Sequence, residues 1–216
     1  MKFDTILFDL DGTLTNPKEG ITKSVQYALA AFGIVVSDLD VLTPFIGPPL
    51  TESFVRFYGF SQADAQKAVS IYRERFSSIG LYENVPYQGI ASCLSVLKQA
   101  GKVLAVATSK PECFSKKILE HFALDGYFDV ITGSEPDGTR VRKAEVIAET
   151  LYRLRCPASE RVVMVGDRMH DILGAKSCGI CTIGVKYGFA EENELEQNGA
   201  AYLCNSVAEL QDLLLS

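Results

Sequence analysis

From Val103 onward the chain alternates short apolar runs rich in β-branched residues with stretches whose apolar positions recur at helical spacing. Such alternation marks βαβ units, and it predicts an α/β fold with a mainly parallel sheet covered by helices on both faces. The expected strands are 103–108, 128–132, 162–165 and 181–185, with helices 112–122, 142–154 and 171–177 between them. A segment over 191–197 follows, then a last helix opened by a capping box from Ser206 to Glu209.

One further strand, residues 5–8, stands far ahead of this series, and a helix over 88–100 leads into strand 103–108. Between them the pattern is helical only, at 19–32, 50–58 and 62–76, the last with Ser61 as N-cap. A parallel crossover needs only about a dozen residues, so this length is surplus. Residues 15–85 therefore read as an inserted helical cap domain, and 1–14 with 86–216 as the core. The joints hold Pro17, Pro86 and Gly89 and lie near an acid-bearing turn, which suits a lid.

That turn is Asp9-Leu10-Asp11-Gly12-Thr13, directly after strand 5–8. In an extended chain Asp9 and Asp11 face the same way, at the carboxyl end of the strand where open α/β sheets bind ligands. Two carboxylates held together ask for a divalent metal or a shared proton, whereas a bare acid pair can also cap a helix or sit in solvent. Gly12 admits close backbone approach and Thr13 adds a hydroxyl.

Later strand ends carry matching chemistry. Thr108-Ser109-Lys110 could bind an anion through hydroxyls and amides at a helix start, or simply cap that helix. Gly166-Asp167 ends another strand, and Asp171 opens the next helix, where a first-turn acid also suits the dipole. Lys143 begins helix 142–154, and a site with four acids and a phosphate needs such positive charge beside its metal. His170 reads as a surface residue. Neither a Walker-type loop nor a G-x-G-x-x-G occurs, which removes support for ATP-driven and dinucleotide chemistry.

Composition narrows the partners. With 47% hydrophobic and 22% charged residues in 216, the chain can build a sizeable core. A net charge of -6 offers no field for a polynucleotide, and the cluster Arg140, Arg142, Lys143 is too short to supply one. Asp4, Asp9 and Asp11 interrupt any secretory apolar core, and no run of about 18 uncharged apolar residues exists, so no membrane partner and a cytoplasmic location are expected. The six cysteines are scattered as in a reducing compartment, and Cys178 with Cys181 lacks the second ligand pair that zinc would need.

Together these motifs resemble the haloacid dehalogenase superfamily, within it the phosphoglycolate phosphatase-like group. Asp9-Leu10-Asp11-Gly12-Thr13 is similar to the first motif, Thr108-Ser109-Lys110 to the second, Lys143 to the third, and Gly166-Asp167 with Asp171 to the fourth. In the run Asp137–Ala144 an alanine follows Lys143 where the family places proline. The resemblance implies a Rossmann-like core, a helical cap inserted after the first motif, and a Mg²⁺-dependent phosphatase. It makes Asp9 the nucleophile that forms an aspartyl-phosphate and Asp11 the general acid and base. It gives the metal to the Asp9 carboxylate, the Asp11 main-chain carbonyl and Asp167, with Asp171 in support. Thr108 and Lys143 would orient the phosphoryl oxygens, with Thr13, Ser109 and Lys110 beside them; Lys110 or Arg142 could share the work of Lys143. Gly47, in Phe45-Ile46-Gly47-Pro48-Pro49, resembles part of a specificity loop, and is equally consistent with a turn between helices.

The implied substrate is a small metabolite phosphate such as phosphoglycolate or a nucleoside 5′-monophosphate. A sugar phosphomutase would use the same two acids, and a non-catalytic phospho-receiver the same acid cluster, although a built-in base beside the nucleophile would shorten a stored phosphoryl state. Dehalogenation would leave Asp11 no oxygen to protonate.

Overall fold

Thr5–Phe8 (β1) is buried along its whole length, as a strand must be when it has a neighbour on either side and helices above and below. The computed structural model describes residues 2–135 and 139–216, so Asp137 and Gly138 of the run before Lys143 lie outside the described residues. After β1 the chain passes through β2 (Thr15–Asn16), α1 (Lys18–Ala30), α2 (Leu50–Tyr58), α3 (Gln62–Arg75) and β3 (Val85–Pro86). It continues with α4 (Ile90–Gln99), β4 (Val103–Pro111), α5 (Glu112–His121), β5 (Val130–Ser134), α6 (Lys143–Leu154), β6 (Val162–Gly166) and α7 (Met169–Ser177). It ends with β7 (Cys181–Val185), α8 (Glu194–Gln197), β8 (Tyr202–Cys204) and α9 (Val207–Leu215).

Among the described residues six strands pair in the order β5-β4-β1-β6-β7-β8, and every one of these pairings is parallel. Successive strands run outward from β1 through β4 to β5, then restart on the other side with β6. Order reverses between β1 and β6, which makes their carboxyl ends the switch point of the sheet. One layer of core joins Leu7, Ala105, Val146, Ile147, Met164 and Ala175, all fully buried. Among the described residues no helix is long and apolar enough to cross a membrane.

The α/β architecture agrees with the sequence reading, and the departures have local causes. Strand 103–108 runs on to Pro111, with a register shift between Ala107 and Pro111 as Ser134 pairs with Pro111. This irregularity re-aims residues 108–110. Strand 128–132 slides to Val130–Ser134, and β8, three residues long, was too short to give a periodic signal. In the helical stretch, a 3₁₀ segment at Leu39–Phe45 contains Pro44, and α3 continues into a π turn at Phe76–Gly80.

The chain divides into two compact units, residues up to Asn16 together with Pro86–Ser216, and Pro17–Val85. The second unit is helical and carries an aromatic cluster in which Phe45 touches Phe54, Phe57 and Tyr58. It also holds a bidentate ion pair, in which Arg75 donates to both oxygens of Glu83 at 2.7 and 2.9 Å while Lys23 approaches at 3.3 Å. The Arg75 guanidinium, helped by Lys23, holds the Glu83 carboxyl below the ordinary range. Its contribution is therefore present above the unfolded glutamate value of about 4.3 and disappears as pH falls through the lower folded value. Glu83→Gln should destabilise the protein by about 1 kcal/mol at pH 7. Thermal melts of the two proteins should converge as pH drops toward 3; an equal gap at both pH values would refute the pairing as the cause.

Candidate active site

Four strand ends meet at the switch point, and the first turns tightly. Asp9 still extends β1, its N–H donating to Val165 O at 2.9 Å, but the chain bends at Leu10, and Gly12, Leu14 and Thr15 close a turn onto Thr15 O and Leu10 O. The extended geometry on which a common direction for both acids would depend ends at the bend at Leu10. Gly12 has φ of +84°, and a Cβ there would lie 2.0 Å from Asp167 Oδ2. Only glycine lets this turn pass so close to β6.

The two acids take different partners. Asp9, Asp167 and Asp171 offer carboxylate oxygens within 4.8 Å of one another, and all three residues are buried. Asp11 is not in that group; its two oxygens accept from Lys110 Nζ at 2.9 and 2.7 Å. Lys110, expected to face a substrate anion, thus pairs with Asp11 from the irregular end of β4. Burial pushes the Asp11 carboxyl above its usual range, with Asp9 adding to the push and Lys110 opposing it.

Lys143 is the counter-charge of the carboxylate group. Its Nζ lies 2.8 Å from Asp9 Oδ1 and 2.7 Å from Asp171 Oδ1, and donates to Ala107 O at 3.1 Å. A cation in the first turn of a helix opposes the macrodipole, so its place at the start of α6 is sustained by these acids. Burial alone would favour the neutral amine, but Asp171 and Asp9 outweigh it and raise the Lys143 pKa. Arg142, the N-cap of the same helix, is exposed and takes no part in this group.

One ammonium cannot balance three carboxylates. Burial, reinforced by Asp171 and Asp9, drives the Asp167 carboxyl well above its ordinary value. Burial also lifts Asp171 to about 6, although Lys143 works against it. Asp171 serves two ends at once: Oδ2 accepts from Arg168 N at 3.1 Å and caps α7, while Oδ1 meets Lys143. Asp167 Oδ2 accepts from Phe189 N at 2.7 Å, and its Oδ1 is buried with no hydrogen-bond partner.

The remaining expected residues are placed as follows. Thr13 is fully buried and its hydroxyl has no partner. Thr108, also buried, accepts from Lys110 N at 3.3 Å rather than capping α5, whose N-cap position is Pro111. Ser109 is half-buried beside it. Gly47, with φ of +102°, belongs to the helical unit and to none of these contacts. Sequence reasoning missed the loop Tyr187-Gly188-Phe189 and the buried Glu194, which accepts from Arg168 Nε at 3.0 Å and Met169 N at 2.6 Å. A glycine just past the carboxyl end of strand 181–185 was the available signal for the loop.

Residues 6–185 match the haloacid dehalogenase-like hydrolase family. A 5′-nucleotidase from Pseudomonas aeruginosa is 50% identical over 216 residues, covering 100% of this chain and 97% of its own. Tyrosine-protein kinase PtkA of Mycobacterium tuberculosis is 39% identical, over 97% of this chain and 72% of its own length. The crystal structure of a predicted phosphatase from Clostridium acetobutylicum superposes with a TM-score of 0.95 at 47% identity, covering 100% of this chain and 99% of that one. The chain belongs to the haloacid dehalogenase-like hydrolase family. Within that family it is a phosphatase.

Proposed function

We propose that this phosphatase hydrolyses a small phosphate monoester through an aspartyl-phosphate on Asp9, with Mg²⁺ as cofactor and a nucleoside 5′-monophosphate as the leading substrate. The observation that carries the cofactor is the excess of buried carboxylate over ammonium, together with the unpartnered Asp167 Oδ1. An all-oxygen, anionic donor set suits a hard divalent cation. Asp9, Asp167 and the Asp11 main-chain carbonyl would hold it, supported by Asp171. When bound, Mg²⁺ supplies positive charge to the phosphoryl oxygens.

The chain's own residues do the rest. Asp9 Oδ attacks phosphorus as the ester oxygen leaves, and Asp11, whose burial favours a held proton, gives that proton to the leaving oxygen. Asp11 then takes a proton from the water that hydrolyses the acyl phosphate, returning Asp9. Lys143 fixes the orientation of Asp9, and Thr13 and Thr108 offer hydroxyls to the phosphoryl group. The helical unit Pro17–Val85, with Gly47, would act as a cap that selects the leaving group.

The similarity to a 5′-nucleotidase supports the nucleotide, with phosphoglycolate the next choice. The kinase among the relatives favours a second reading, in which an acceptor other than water receives the phosphoryl group, as a sugar would in a mutase. A panel of metabolite phosphates assayed for free phosphate separates the two. Release should require Mg²⁺, cease on chelation and fail with Ca²⁺, whose looser, larger coordination shell would engage both oxygens of Asp9. Release that persists after exhaustive chelation would refute the cofactor, and phosphorylated acceptor without free phosphate would refute hydrolysis.

A further inference from the structure

We infer that the loop Tyr187-Gly188-Phe189 is a positioning strap for the reaction, clamping the acid-bearing turn against Asp167 and setting which Asp167 oxygen is free. All three residues contribute. The Tyr187 hydroxyl donates to Thr13 O at 3.1 Å, and so holds the turn that carries Asp11 and Thr13. Phe189 N donates to Asp167 Oδ2 at 2.7 Å, and so occupies one carboxylate oxygen while Oδ1 stays buried and unpartnered. Gly188 lies between them with no room for a side chain, since a Cβ would be 2.4 Å from both Gly12 O and Asp167 Cβ.

The electrostatics explain why such a strap is needed. Asp167 is repelled by Asp171 and Asp9, and unlike either it has no ion pair with Lys143. A main-chain N–H is the donor that holds it in one orientation. Because the same loop grips the Gly12–Thr13 turn, the ends of β1 and β6 cannot drift apart without breaking contacts to residues 187–189. Tyr187 is itself supported by Tyr87, whose ring centroid lies 4.9 Å away in an edge-on arrangement. The strap touches no reacting atom, and its action is through Asp167 and the turn.

This inference rests on the reading that Asp9, Asp167 and Asp171 hold a divalent cation, and the test separates the two. Mn²⁺, which also prefers oxygen ligands, is titrated into the full-length protein and free ion is counted by electron paramagnetic resonance. Removing a group that orients a ligand typically weakens metal binding by ~10–100-fold. Tyr187→Phe, which keeps the ring against Tyr87, should raise the Mn²⁺ dissociation constant about tenfold and lower kcat with little change in KM, with no more than the small drop in melting temperature expected for one lost hydrogen bond. Gly188→Ala should weaken Mn²⁺ by about a hundredfold. If the Ala variant fails to fold, Tyr187→Phe decides alone. Wild-type affinity in a folded Tyr187→Phe protein would overturn the strap while leaving the cation reading intact, whereas no Mn²⁺ binding by the wild type would overturn both.

Discussion

Asp9→Asn should release no phosphate from any ester, while Asp11→Asn should retain one half of the reaction. The first substitution removes the nucleophile itself. The second keeps Asp9 and removes general acid and base, an effect of ~10²–10⁴ in rate. The structure gives the two acids separate ion-pair partners, Lys143 for Asp9 and Lys110 for Asp11, so Asn at position 11 keeps the contact between Asp9 and Lys143. An aryl phosphate departs with little help from a proton, so it should still phosphorylate Asp9 in the Asp11→Asn protein. Hydrolysis of that acyl phosphate needs an activated water and should stall. Rapid quenching should then show a stoichiometric burst of phenol and a hydroxylamine-sensitive phosphoenzyme, whereas an alkyl phosphate should give neither. Equal slowing of aryl and alkyl esters without a burst would mean that Asp11 transfers no proton.

The strand ends were legible because they combine two independent signals, a buried apolar run and a polar residue where that run stops. Asp9 and Asp167 were each found in this way and Asp171 as an acid opening the next helix, and the sheet brings them together because β1 and β6 are adjacent at the switch point. Lys143 was legible only through charge balance and resemblance, since a lysine at a helix start is ordinarily solvated; here the acids turn it inward. Lys110 was read as facing a substrate anion, and the carboxylate it meets in the structure is that of Asp11. Its position in sequence marked the site, but Lys110 lies within the register shift of β4, and side-chain period carries no trace of such a shift. The loop 187–189 escaped for a different reason. Its contacts are a main-chain N–H, a tyrosine hydroxyl aimed at a distant main-chain carbonyl and the absence of a Cβ, and a lone Tyr-Gly pair does not mark such contacts in a sequence.

The sharpest structural test of the charge balance is Lys143→Met. The ammonium stands between Asp9 and Asp171, both side chains are nearly inaccessible, and Asp167 lies within the same small volume. Deleting one partner of a buried pair leaves uncompensated charge, at a cost of about 3–5 kcal/mol. Met matches the lysine stem in length and apolar character, so packing against Gly174, which touches the Lys143 stem, is largely retained. The loss should therefore be electrostatic, and it should be reversible by removing a negative charge nearby. In Lys143→Met/Asp171→Asn the amide oxygen can still cap α7 by accepting from Arg168 N, while the repulsion with Asp9 is gone. Urea unfolding of the metal-free proteins should place the double variant closer to wild type than the single Lys143→Met protein, a coupling of the kind expected for residues in contact. Phosphate release should be lost in both, because Asp9 then has no group to hold its orientation. A double variant at least as destabilised as the sum of the two single ones would show that Lys143 contributes through packing, and would remove the electrostatic account of the site.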